Sequence, residues 1–200
     1  VFFGDEQISA TNDRTFAGAS NWQDSGTTAN QWAEDSGTYD EATASGATEG
    51  TALTAYDGTT VTFTDNYLKL VATSDGSDLR LAELDGANWE DAETGITAMA
   101  VGRTYRLSYA IEISAYTSGT FSIGFGDTDV DTDADKTYTA TKSVASDYFD
   151  FVYKGTTTHA KLFLQASTSS AFTLYLDNFS LKEIGTATGW TDADQQLDIS

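Results

Sequence analysis

The chain has 200 residues, of which 31 are acidic and 10 basic, giving a formal net charge of −21. A surface this acidic repels phosphate backbones and anionic lipid, so the composition argues against nucleic acid and membranes as partners. Cysteine is absent, which excludes a disulfide framework, a thiolate metal site and a thiol nucleophile.

The first part of the chain carries weak structural signals. Residues 1–11 open with Val-Phe-Phe and then turn polar, which fits an N-terminal strand or a segment left over from upstream. Residues 23–60 are rich in Thr, Ser, Gly, Ala and Asp and predict long loops with short strands. Residues 67–73 and 79–84 alternate around a Ser-Asp-Gly-Ser-Asp cluster and predict a β-hairpin.

From residue 96 onwards, short apolar runs recur about every ten residues, as in a β-sandwich. The clearest strand is 102–113, in which Tyr105, Leu107, Tyr109, Ile111 and Ile113 share one face. The other predicted strands are 96–101, 121–125, 138–144, 148–154, 160–166 and 172–184. The fold class is therefore all-β, a single antiparallel sandwich. Residues 185–200 break the rhythm and predict a linker or the start of a following module.

The closing segment, 172–184, contains an informative break. Apolar residues alternate up to Leu176, an Asp-Asn pair interrupts, and the apolar set resumes at Phe179 and Leu181. A carboxylate at a break in a strand suits a β-bulge, a metal ligand, or both.

Three blocks, taken in order, resemble the jelly-roll carbohydrate-binding modules of families four, nine and twenty-two. Residues 12–22 resemble the family's entry block, Asn-x-x-Phe-acid-x-Gly followed by Trp. Residues 102–109, Gly-Arg-Thr-Tyr-Arg-Leu-Ser-Tyr, resemble the family's Gly-x-x-Tyr-x-Leu-Ser-Phe strand. Residues 176–181, Leu-Asp-Asn-Phe-Ser-Leu, resemble the closing block.

The resemblance covers residues 12–184 and implies that the sandwich is of the jelly-roll type. It implies non-catalytic binding of a polysaccharide or oligosaccharide by a module of a larger protein, outside the cell or on a virion surface. It also implies a structural calcium ion held by an acidic residue of the entry block and by Asp177. Ala17 stands where the family has the entry acid, which leaves the nearby Asp13 as the second candidate ligand. Residues 189–197 resemble linkers of multidomain phage and environmental surface proteins.

Sugar recognition needs flat aromatic faces for pyranose C–H groups and planar polar groups for hydroxyls. The aromatic candidates stand in polar segments or loops and are Trp32, Trp89, Tyr39, Tyr56 and Tyr116. The polar candidates, predicted to line one concave sheet, are Arg80, Arg106 and Gln165, with Lys69 and Glu112 beside them. The alternatives are rings that cap the core and arginines that pair with carboxylates across strands. Trp22 matches the family's packed entry Trp and is predicted to be structural.

Two features remain open. Residues 127–135 carry Asp at every second position, which suits a solvated hairpin tip or weak calcium binding, although no register gives an EF-hand.

The chain has a single histidine, His159, and no Gly-x-Ser-x-Gly motif, so it lacks the residues for nucleophilic acyl transfer and no enzyme is predicted. The rival interpretations are a structural or adhesive module of a phage tail or surface protein, and a polysaccharide lyase or hydrolase.

Overall fold

The computed structural model describes residues 2–16, 22–24, 67–72, 80–85, 96, 99–126, 134–154, 161–167 and 170–185. In this part of the chain, ten strands and one short helix form. The strands are β1 (Phe2–Glu6), β2 (Gln23–Asp24), β3 (Leu68–Ala72), β4 (Arg80–Asp85), β5 (Thr104–Ser118), β6 (Phe121–Gly126), β7 (Ala134–Tyr138), β8 (Lys142–Val152), β9 (Lys161–Ala166) and β10 (Ala171–Gly185); the helix is α1 (Thr11–Thr15). No helix in these ranges is long and apolar enough to cross a bilayer.

The strands build two antiparallel sheets, which confirms the predicted all-β sandwich. The first sheet has the order β1-β10-β5-β8, and β3 also pairs with β10. The second sheet has the order β2-β4-β9-β6-β7. Between successive labelled strands the chain passes from one sheet to the other at every step except β6 to β7, so most neighbours in a sheet are distant in sequence.

The core lies between the two sheets and follows the alternation of the sequence. In β5, the five residues predicted to share a face are all buried. Leu162 and Leu164 of β9 and Ile123 of β6 meet them from the second sheet. Burying a side chain of this size contributes about 1.5–3 kcal/mol, so this shared face is the main stabilising feature of the sandwich.

The break in β10 is a β-bulge, as the sequence predicted. Asp177 pairs with Ala110 and Ser180 with Ser108, so three steps along β10 match two along β5. Asn178 is in the bulge and has a left-handed backbone conformation, with φ of 54°. Asn tolerates this conformation better than most residues. Leu176 and Phe179 therefore both face the core, although they are three residues apart.

The predicted hairpin of residues 67–73 and 79–84 is wrong. Both strands form, but β3 pairs with β10 in the first sheet, whereas β4 pairs with β2 and β9 in the second. The alternation correctly indicated strands, but a period of two does not identify the partner of a strand.

Two strand boundaries also differ from the prediction. In the predicted strand 96–101, Ile96 forms an isolated bridge with Ile8, and Val101 lies in a turn. Residues 138–144 and 148–154 were predicted as two strands, but Lys142–Val152 is one strand whose register shifts near Asp147. A bulge interrupts the pattern as a turn would, while the strand continues.

The entry segment closes one end of the core. Trp22 is fully buried and its indole N–H donates a 2.8 Å hydrogen bond to the carbonyl of Asp13. The ring of Phe179 lies 5.1 Å from that of Trp22 and 6.0 Å from that of Phe16, measured between centroids. The structural role predicted for Trp22 is confirmed, and α1 packs against β10 beside the bulge.

A buried polar chain joins the two sheets at the β7–β8 edge. The hydroxyl of Tyr109 lies 2.7 Å from that of Tyr138, which donates to Asp147 Oδ2 at 3.0 Å. Lys136 also donates to Asp147. Burial raises the pKa of both tyrosines, so both stay neutral and able to donate. Burial alone would raise the pKa of Asp147, but hydrogen bonds from Lys136, the Tyr148 amide and Tyr138 lower it to about 2.

The left-handed conformation at the bulge makes a stability prediction. Asn178→Val places a β-branched residue at positive φ and is expected to lower the free energy of unfolding by about 1–2 kcal/mol relative to Asn178→Gly. Both variants lose the 3.0 Å hydrogen bond from Asn178 to Asp177, so their difference isolates the backbone term. Urea unfolding of both proteins measures it, and equal midpoints would contradict the left-handed bulge.

The polar chain at the sheet edge makes a prediction about pH. Because the pKa of Asp147 is lowered to about 2 in the folded state, its carboxylate stabilises the fold above pH ~4, and this stabilisation is lost as the pH falls toward 2. Asp147→Asn is expected to cost about 2 kcal/mol at neutral pH and progressively less below pH ~4.

The measurement is chemical unfolding of wild type and variant across this pH range. Asp5→Asn, the same substitution at an exposed strand residue, controls for the loss of one negative charge. A cost of Asp147→Asn that stayed constant down to the lowest pH would overturn the assignment.

Candidate functional site

The outer face of the first sheet, turned away from the core, carries a row of four charges. The strand register places Glu6 of β1, Lys182 of β10, Arg106 of β5 and Asp150 of β8 side by side. With neighbouring strands about 4.8 Å apart, the row spans about 14 Å. Two carboxylates and two cations give it a formal charge of zero.

Arg106 and Asp150 form the ordered centre of this row. The guanidinium donates to both carboxylate oxygens, from Nε at 2.6 Å and from Nη2 at 2.8 Å. These hydrogen bonds raise the pKa of Arg106 and lower that of Asp150, so both groups stay charged. The pair uses two of the five guanidinium N–H donors, which leaves three for other acceptors.

Half-exposed apolar groups flank the pair. The guanidinium carbon of Arg106 lies 3.9 Å from the ring centroid of Tyr148 and 5.6 Å from that of Phe3. Tyr148, Phe3 and Val152 expose 50%, 49% and 50% of their surface, although each is large and apolar. We call Phe3, Arg106, Tyr148, Asp150 and Val152 the outer-face platform. It combines flat rings with a fixed planar ion pair.

The opposite end of the same outer face is closed. Tyr67 and Ala110 are buried there and pack with Tyr175, whose ring centroid lies 5.4 Å from that of Tyr67. Glu112 is also buried at this end, and the Lys69 ammonium lies 5.9 Å from the Tyr175 ring centroid. Among the described residues, the open part of this face is therefore the platform.

The exposed rings and the ion pair of the platform are the kinds of group that contact flat, hydrated molecules with many hydroxyls. Aromatic rings offer apolar area at low cost in conformational entropy because they have few rotatable bonds. The Arg106–Asp150 pair presents N–H donors and carboxylate lone pairs in fixed directions. Because these groups sit on strands rather than loops, their geometry is set before a ligand arrives.

Of the aromatic residues predicted from the sequence, Tyr116 alone falls within the described residues. Its ring stacks on that of Phe172 at 6.1 Å, and its hydroxyl donates to the carbonyl of Gly119 at 2.8 Å. It is partly buried against the core and lies away from the platform. Trp32, Trp89, Tyr39 and Tyr56 lie outside the described residues, as do His159 and most of the acidic segment 127–135.

The polar residues predicted to line one sheet are divided between two. Arg106 lies on β5 of the first sheet, whereas Arg80 lies on β4 and Gln165 on β9 of the second. In the second sheet, Gln165 pairs in register with Leu81, while Arg80 pairs with Ala166. The single lining predicted for all three is therefore wrong, because the chain changes sheets between these strands.

Most of the platform was not predicted from the sequence. Tyr148, Asp150 and Val152 alternate with Phe149, Phe151 and Tyr153, so both faces of β8 carry aromatic or apolar residues. This two-sided pattern was the available signal, but it does not tell which face meets solvent. Phe3 was missed because its position depends on pairing with β10, at the other end of the chain.

The two predicted calcium ligands are both buried near the junction of α1 and β10. Asp13 is fully buried in α1, and Asp177 is buried at the bulge. Calcium takes six to eight oxygens, and no group of three or more acidic, His or Cys side chains forms among the described residues. The two carboxylates would need further oxygens from the backbone, water or the rest of the chain.

No protein-family model matches the sequence, and no curated protein matches it either. Solved structures do match. A GH51 α-L-arabinofuranosidase aligns with 89% of this chain and 26% of its own, at 13% identity and a TM-score of 0.50. The tandem CBM22-1-CBM22-2 domain of Xyn10C from Paenibacillus barcinonensis aligns with 94% of this chain and 48% of its own, at 14% identity and a TM-score of 0.49.

Tailspike protein 4 of bacteriophage CBA120 aligns with 88% of this chain, at 15% identity and a TM-score of 0.46. This chain spans 21% of that tailspike chain. A family 11 carbohydrate-binding module from Clostridium thermocellum aligns with 90% of this chain at 10% identity and a TM-score of 0.44. The match to the arabinofuranosidase chain, at 13% identity and a TM-score of 0.50, shows a likeness of fold alone.

Proposed function

We propose that this domain is a non-catalytic carbohydrate-binding module and that the outer-face platform is its binding surface. The observation that carries the proposal is the placement of half-exposed Phe3 and Tyr148 on either side of the bidentate Arg106–Asp150 pair. A sugar would lay its C–H face on the rings, while its hydroxyls accept from Arg106 and donate to Asp150. The setting would be a larger protein at a cell or virion surface.

Affinity at such a site rests on the rings. Hydroxyl hydrogen bonds largely replace hydrogen bonds to water and contribute about 0.5–1.5 kcal/mol each. Two half-exposed rings and an aliphatic side chain bury little area, so the expected dissociation constant lies between about micromolar and millimolar.

The binding proposal predicts a pair of contrasting variants. Phe3→Ala and Tyr148→Ala are each expected to weaken glycan binding about tenfold, which corresponds to about 1.4 kcal/mol. Phe2→Ala is the matched control, because Phe2 is the same residue type, adjacent, and exposed, while alternation points it to the other side of β1. Affinity electrophoresis on plant, algal and microbial polysaccharides, followed by calorimetry on the best binder, gives the measurement.

Two outcomes would count against the proposal. If no polysaccharide in the panel retards the wild type, the result would favour the alternative function, a structural or adhesive module. The contact points of such a module would be the exposed Phe2 and Val101 at one end of the first sheet. Equal glycan affinities of the variants Phe2→Ala, Phe3→Ala and Tyr148→Ala would show that the binding site is not the platform.

We also propose that a calcium ion ties the entry segment to β10 through Asp13 and Asp177. The support is the burial of two carboxylates on packed elements of a chain with 31 acidic and 10 basic residues. An ion that binds only the native state raises its stability by RT ln(1 + [Ca²⁺]/Kd), about 2.7 kcal/mol at a hundredfold excess over Kd.

This calcium proposal predicts a melting temperature that is higher in calcium than in chelator. Asp177→Asn should reduce or abolish the shift, whereas Asp5→Asn, at an exposed position, should retain it. Superimposable calorimetric melts of wild type in calcium and in chelator would refute the ion.

A further inference from the structure

The Arg106–Asp150 pair has a consequence for the kind of sugar that the platform accepts. A lone arginine on a binding surface attracts carboxylates and phosphates, because its guanidinium pairs with them in a bidentate manner. On this platform a carboxylate of the protein already occupies that position, with both oxygens engaged at 2.6 and 2.8 Å. A carboxylated sugar would have to compete with Asp150 for the Nε–Nη2 edge, and at the other edge it would meet a guanidinium whose charge Asp150 already offsets.

The rest of the row adds no net charge to the Arg106–Asp150 pair, because it consists of one cation, Lys182, and one carboxylate, Glu6. In the strand register, Lys182 stands between Glu6 on one side and Arg106 on the other. The Glu6 carboxylate is itself fixed, accepting from the Leu181 amide at 2.7 Å and from Ser180 Oγ at 2.6 Å. Glu6 and Asp150 thus place a negative charge at each end of the row.

We infer that Asp150 is a specificity-determining residue, which cancels the charge of Arg106 so that the platform favours uncharged over carboxylated sugars. This inference rests on the proposed function of the platform. Asp150 both orients the guanidinium, so that its remaining N–H donors meet hydroxyls, and excludes a uronic acid from the Nε–Nη2 edge, while its charge offsets that of Arg106 at the other edge. No covalent step is involved.

The test compares two classes of ligand on the full chain and two variants. The probes are a neutral hexasaccharide of the polysaccharide that binds best and an oligogalacturonate of similar length, each titrated by calorimetry at low and at physiological ionic strength. Asp150→Asn keeps the size of the side chain and releases the charge of Arg106. Glu183→Gln is the matched control, because it removes one negative charge and releases Arg103. The Arg103 Nη1 atom lies 3.3 Å from Glu183 Oε1, and neither residue belongs to the platform.

Wild type is expected to bind the neutral sugar at least about tenfold more tightly than the uronate. Asp150→Asn should reduce this ratio about tenfold, and its uronate binding should weaken as salt is added, because an exposed charge pair is screened. Glu183→Gln should leave the ratio as in wild type. A folded Asp150→Asn is confirmed by its circular dichroism spectrum, and Asp150→Ser, which also removes the charge, serves if the Asn variant does not fold.

The failures of the two proposals are distinguishable. Wild type that binds the neutral sugar and the uronate equally, or a ratio that Asp150→Asn leaves unchanged, overturns the role of Asp150 while the platform remains a sugar-binding surface. Wild type that binds neither class overturns both proposals. A ratio that falls equally in Glu183→Gln shows that net charge, rather than Asp150, determines the selectivity, and also overturns the inference.

Discussion

The bulge in β10 is the constraint on which the rest of the structure depends. β10 lies between β1 and β5 in the first sheet and has core residues on both sides of Asn178. In an unbroken strand, Leu176 and Phe179 would face opposite sides, because side chains alternate with a period of two. One extra residue restores the phase, so that Phe179 and Leu181 continue the core that Leu174 and Leu176 begin.

The same phase shift creates the outer face. With Leu181 turned inward, Ser180 and Lys182 turn outward, where Lys182 joins the charged row beside Arg106 and Ser180 donates to Glu6. Without the bulge, the ammonium of Lys182 would point into an apolar core, at a cost of several kcal/mol unless it found a partner. Core packing and the polarity of the platform are thus two results of one backbone feature, and the site cannot be separated from the fold.

Features encoded locally could be predicted from the sequence. The break at Asp177 and Asn178 is visible because the hydrophobic pattern itself changes phase, and the burial of the Tyr105–Ile113 face follows from strict alternation. Trp22 was identified by its match to a packed family residue. The partners of β3 and β4 could not be predicted, since alternation describes the faces of a strand and carries no information on which sheet it joins.

The platform was harder to predict than the fold for a physical reason. Its members come from β1, β5 and β8, and Phe3 reaches Arg106 only because β1 pairs with the end of β10. Arg106 was identified, since a basic residue on the polar face of a strong strand is rare in so acidic a chain. Tyr148 and Asp150 were not identified, because aromatic or apolar residues occur on both faces of β8. Which of these faces is covered depends on the assembled sandwich.

The charge of the whole chain and the charge of the platform act over different distances. At physiological ionic strength the Debye length is about 8 Å, so carboxylates farther than that from the platform have little electrostatic effect on it. The net charge of −21 therefore determines solubility and the approach of charged partners. The electrostatic potential at the platform itself is determined by the balanced row of Glu6, Lys182, Arg106 and Asp150. On the proposed function, a neutral row in an acidic domain would let an uncharged polymer lie on the rings without a counterion, and ring contact would determine affinity.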